Sequence, residues 1–152
     1  MGLFSKKKNL INERLIKFGI DFNSFSHEGL DEDELTVDDE VGGVIKNSSG
    51  EYEDENGFFN NILIIDYNDG IREIYFSGIN VDERKVKNMV DKLSSFLGKD
   101  KLFRNELSAI DLEDIRQGGN SDLRSWECDD YNVDLIVNLE SNYFLLNVNN
   151  RV

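Results

Sequence analysis

Two periodicities run along this chain, one helical and one of period two, and the switches between them mark out its elements. In residues 81–97, Val86, Met89, Val90, Leu93, Phe96 and Leu97 recur at three- and four-residue intervals, one stripe of a helix. Asn80 is expected to cap its start, with Glu83 three residues on, and Gly98 stands where a left-handed C-terminal cap favours a residue without Cβ. Phe4, Ile11, Leu15 and Phe18 follow spacings of seven, four and three, which predicts a shorter helix over residues 5–18.

Elsewhere the period is two. The run FFNNILIIDY (58–67) is β-branched and aromatic, and IREIYFSG (71–78) places Ile74 and Phe76 on one face and Glu73 and Tyr75 on the other. Between them, Asn68-Asp69-Gly70 is a strong hairpin signal, because glycine supplies the positive φ that a type I′ or bulged turn requires. Three further strands are expected in LRSWEC, YNVDLIVNL and YFLLNV. In the middle one, Tyr131, Val133, Leu135, Val137 and Leu139 share a face, with Asn132, Asp134 and Asn138 on the other.

Less pattern survives in residues 21–57, where Leu35, Val37, Val41, Val44 and Ile45 are scattered among acids, Gly, Ser and Asn, the composition of loops with weak strands. Residues 100–119 are ambiguous, with Asp111 as a candidate cap for a helical turn through LEDIRQ. The sum is a single α+β domain: a mostly antiparallel sheet of about five or more strands packed against the helix at 81–97. It divides into a basic N-terminal helical segment, 1–20, and an acidic α+β domain, 21–152. The chain contains no proline, so Gly, Asn and Asp supply its turn chemistry.

Charge then changes the picture. The formal net charge is −14, yet residues 1–20 carry +4, residues 21–60 carry −12 and the remainder −6. Such acidity repels nucleic-acid phosphate and favours a basic protein partner. The basic start is expected to pack one stripe on its own domain; docking on an anionic membrane through residues 1–18 is the alternative. The first residues carry no apolar stretch of secretory or membrane-spanning length, and Cys128, the single cysteine, allows no internal disulfide. A cytoplasmic location is expected.

Candidate chemistry is sparse. The oxygens of DYNDG hint at a calcium loop, but counting from Asp66 puts Gly70 at position 5 and Ser77 at position 12, where an EF-hand needs ligands. The acid clusters at Asp31–Glu34, Asp38–Glu40 and Glu51–Glu55 have no spacing that fixes a coordination geometry. His27 and Cys128 are alone of their types, too few for zinc and remote in pattern for a nucleophilic pair. No catalytic residue, metal ligand or cofactor is assigned. The stretch from Arg124 to Tyr131 is the best candidate surface, with Trp126, Glu127, Asp129, Asp130 and Tyr131 as partner-binding residues, since interfaces concentrate energy in aromatic anchors rimmed by charge; a core position for Trp126 is the alternative.

Together these features lead to the expectation of a small acidic protein-binding protein without catalytic activity, comparable to an immunity-type inhibitor of a basic partner. A secretion-chaperone-like accessory, a small carboxylate-dependent enzyme and a membrane-peripheral protein are the alternatives.

Overall fold

The structure, a computed structural model, describes residues 10–32, 43–54, 56–104, 106–117, 121–127 and 131–151. In chain order its elements are α1 (Leu10–Phe18), β1 (Asp31–Glu32), β2 (Val44–Glu51), β3 (Asn61–Tyr67), β4 (Arg72–Ile79), α2 (Glu83–Leu97), α3 (Ala109–Arg116), β5 (Ser121–Glu127), β6 (Asn132–Asn138) and β7 (Tyr143–Asn149). The strands form one sheet in the order β1-β2-β3-β4-β7-β6-β5, every neighbouring pair antiparallel. The fold is α+β, as the periodicities indicate.

Period-two alternation decides which side of the sheet is the core. Ile62, Ile64, Ile74, Phe76, Leu135 and Leu146 face inward and are buried with Leu15, Phe18, Met89, Leu93 and Ile115 of the helices in one cluster. The apolar stripe of α1 therefore packs on its own domain, with Phe18 edge-on to Phe96 at 5.8 Å. Arg14 fixes the contact by donating to Leu97 O at 3.0 Å, a cation set on the unsatisfied carbonyls at the end of α2. The lysines at 6–8 lie outside the described residues.

The hairpin of β3 and β4 is the bulged form: Gly70 takes φ 86°, Gly70 N–H donates to Tyr67 O, and Asp69 Oδ1 accepts from Ile71 N–H. Two caps differ from expectation. Asp82, not Asn80, caps α2, its carboxylate accepting from Lys85 N–H at 2.7 Å, because Asn80 sits in the left-handed region at φ 60°. In α3 the cap is Ser108, and Asp111 is the third residue of a capping box, its side chain returning to Ser108 N–H.

β2 was legible only as a weak strand. Its sequence VIKNSSGE has little β propensity, and it is held by pairing with β3 from Val44↔Tyr67 to Glu51↔Asn61. On its other side, β1 covers only Ser48 and Ser49.

Candidate binding face

One face of the sheet carries the helices; the other carries alternate residues of the same strands. In register across it run Ser49, Leu63, Tyr75, Asn147 and Asp134, flanked by a row with Glu51, Asn61, Ser77 and Leu145. Over β2, β3 and β4, Ser49, Glu51, Asn61, Leu63, Tyr75 and Ser77 line an open groove of about 960 Å³. Leu63, Ile65, Tyr75 and Leu145 give it an apolar floor, and Asp31 and Glu51 give it carboxylates, with no Lys or Arg among the described residues that line it.

Beside the groove, Glu73 gathers the polar ends of three side chains. It accepts from Tyr67 Oη at 2.8 Å and Tyr75 Oη at 3.3 Å, and Arg151 Nε reaches its other oxygen at 3.2 Å. Burial, with the Glu73 charge second, pushes the Tyr75 phenol up to about 12, so it stays a neutral donor throughout the physiological range. On the same face Asn147 is buried, its Oδ1 taken by Asn149 and its Nδ2 without a partner.

Of the residues read from the sequence as a surface, the described ones lie elsewhere. Trp126 is 2% exposed, opposite Val133 on the inner face, and donates Nε1–H to Gly98 O at 2.9 Å. Tyr131 is buried edge-on against Phe22 at 5.1 Å and accepts from Asn23. Both aromatic anchors thus belong to the core, a correction whose reason is register: Tyr131 continues the Val133–Leu135–Val137 row, and Trp126 packs across from it. That row was visible in the sequence and contained the signal. Arg124 is fully buried as well. Glu127 is exposed, 3.7 Å from Lys101, while Asp129, Asp130 and Cys128 lie outside the described residues.

His27 has a different setting from the one weighed beside Cys128. Its Nε2 meets Asp66 Oδ2 at 2.6 Å and its Nδ1 contacts Ser48 Oγ. Arg72 grips Asp66 through Nε at 2.7 Å and Nη2 at 3.0 Å. Burial raises the Asp66 carboxyl, but the Arg72 and His27 hydrogen bonds outweigh it and hold the group below the usual carboxylate value.

A Ser–His–Asp series is the composition of a nucleophilic relay. Here Ser48 is fully buried, opposite Ile64 in the core, and the neighbouring cleft of about 470 Å³ is lined by Asp66 and Arg72 but by neither Ser48 nor His27. What the arrangement does is fasten the segment between α1 and β1 to the sheet, with Arg72 Nη1 also donating to Phe25 O at 2.5 Å. Sequence reasoning missed it because its members come from segments 21, 18 and 6 residues apart with no shared motif.

Asp66 and Asp69, the acids of the suspected calcium loop, are thus engaged by protein donors. Among the described residues no group of three or more His, Cys, Asp or Glu is placed to hold a metal ion, and no helix is long and apolar enough to cross a membrane. No family model, curated protein or solved structure matches the chain.

Proposed function

We propose that this chain is a non-catalytic, acidic protein-binding protein of the cytoplasm, which engages a basic protein partner through the sheet face opposite the described helices in the manner of an immunity-type inhibitor. The observation that carries this reading is the groove: an apolar floor with carboxylates and no base, on a molecule of net charge −14. Long-range attraction speeds encounter with a basic surface, and burial of apolar area holds the complex. Two further facts count against a serine-nucleophile relay and against membrane docking. The Ser48 hydroxyl is buried away from any substrate, and the apolar side chains Leu15 and Phe18 of α1 are used inside the domain rather than free for a lipid surface.

The test is affinity capture from the native organism, followed by binding measurements between the purified pair. The expected result is a complex that weakens severalfold between about 50 and 200 mM salt and is lost in Ser77→Arg, which puts a long cation into the groove. Binding unaffected by Ser77→Arg places the partner elsewhere and overturns this reading of the face.

A further inference from the structure

The segment after α2 is built as a rigid projection. Asp100, buried, accepts from Leu102 N–H at 3.2 Å and Arg104 N–H at 2.8 Å, while Arg104 Nη2 closes on its second oxygen at 2.6 Å. Ser125 N–H donates to Asp100, and Lys101 N–H donates to Ser125 O at 2.7 Å, so the projection is tied to β5. At its tip Leu102 is 61% and Phe103 82% exposed, and Phe103 is held at φ 61°. A bulky residue in that left-handed region is strained, and the surrounding hydrogen bonds fix it there. Two large apolar side chains are thus presented to water on a pre-ordered loop, flanked by the exposed bases Lys99 and Lys101.

The groove over β2–β4 is the chemical complement of this tip: apolar floor, carboxylates from Asp31 and Glu51, no cation. Its volume of about 960 Å³ has room for both tip side chains. The tip of a given molecule cannot enter its own groove. Strand order puts β5 at one end of the sheet and β3 four strand spacings away, roughly 19 Å, and the projection is bonded to β5 at Ser125.

We propose that the groove receives the Leu102–Phe103 tip of a second copy of this chain, giving a head-to-tail contact. The proposal rests on the reading of this groove as a binding surface and adds its occupant when no foreign partner is present. A contact between different patches of identical molecules does not close on itself as a two-fold dimer does; it extends into chains or rings. Copies at net charge −14 repel, so the contact strengthens as salt screens that repulsion, opposite to the expectation for a basic partner.

Sedimentation equilibrium of the full chain from about 1 µM to about 1 mM tests this. The expected wild-type result is association that grows with concentration and is stronger at about 150 mM than at about 20 mM salt. Phe103→Gly, which relieves the positive φ and so keeps the fold, should weaken association at least about thirtyfold, as loss of an anchor side chain does. Ser77→Arg should also be monomeric. Mixing the two variants provides the decisive arm, since one has an intact groove and the other an intact tip: they should form a dimer that grows no further. A wild type that is monomeric throughout, a Phe103→Gly protein that associates as well as wild type, or a mixture that forms no dimer overturns the proposal. Failure here is distinguishable from failure of the functional reading, because Phe103→Gly should retain a foreign partner that Ser77→Arg loses.

Discussion

Arg124 brings a full charge to a position with no exposed surface, and the residues around it are arranged to compensate. Its guanidinium donates to Leu123 O at 2.6 Å, Glu106 O at 2.7 Å and Asp111 Oδ2 at 3.0 Å. Asp111 in turn accepts from Ser108 N–H at the start of α3. Burial works against the Asp111 charge, but the Arg124 and Ser108 hydrogen bonds prevail and hold the carboxyl below its ordinary value. One pair therefore joins α3, β5 and the connection between α2 and α3. Removing one partner of such a pair leaves an uncompensated buried charge. Arg124→Ala is expected to lose about 3–5 kcal/mol of stability, against about 1 kcal/mol or less for truncating the exposed Lys101–Glu127 pair, as read from urea unfolding midpoints. A loss for Arg124→Ala no larger than that of the surface pair would show that the buried pair is not the joint it looks to be.

At the scale of elements, the segment between α1 and β1 behaves as a strap across the sheet. It has no regular secondary structure between Gly19 and Leu30, yet Phe22 and Ile20 are buried, Phe25 stacks near Phe76 at 5.4 Å, and His27 locks to Ser48 and Asp66. His27→Ala removes the lock while leaving the aromatic contacts. The expected outcome is a stability loss of about 1–3 kcal/mol, with amide exchange faster in residues 21–30 and β2 than in β6 and β7. Uniform acceleration across the whole sheet would mean that the strap does not open as a unit.

The same strap shows what the sequence could and could not disclose. α2, the hairpin around Gly70 and the last three strands were legible because their side chains repeat with the period of the element that buries them. β2 and the strap were not, because their order comes from long-range partners: Asn47 and Ser48 form a strand by pairing with Ile65 and Ile64, whatever their propensity. The placing of two aromatic side chains at the surface failed for a related reason. Trp126 and Tyr131 looked like interface anchors from composition, whereas their position in the alternation puts them inside. The groove is written in the other half of that alternation, in Leu63, Ile65, Tyr75 and Leu145, residues whose half-buried state only the assembled sheet reveals.

For the whole molecule, pH sets two effects against each other. From neutral pH down toward the sequence pI of about 4.4, protonation reduces the self-repulsion of a −14 chain, which favours the compact state. Below that, three aspartates act in the opposite direction. Asp66, Asp100 and Asp111 are each opposed by burial, but the guanidinium bonds from Arg72, Arg104 and Arg124 lead the effects that hold their carboxyls below the ordinary value. A carboxyl depressed in the native state binds protons more weakly there than in the unfolded chain. Its contribution is therefore complete above the unfolded value of about 3.9 and is lost as pH falls through the lower native value. Stability should consequently pass through a maximum on the acid side of neutrality and fall steeply below about pH 4. Asp100→Asn isolates the second effect, because an amide stands in for the protonated acid. The variant is expected to be less stable than wild type by about 1–3 kcal/mol at pH 7 and to converge on it near pH 2, measured by urea unfolding at a fixed ionic strength. A difference that persists unchanged into acid would assign the loss to the shape of the amide rather than to the charge that holds Arg104 and the tip beyond it.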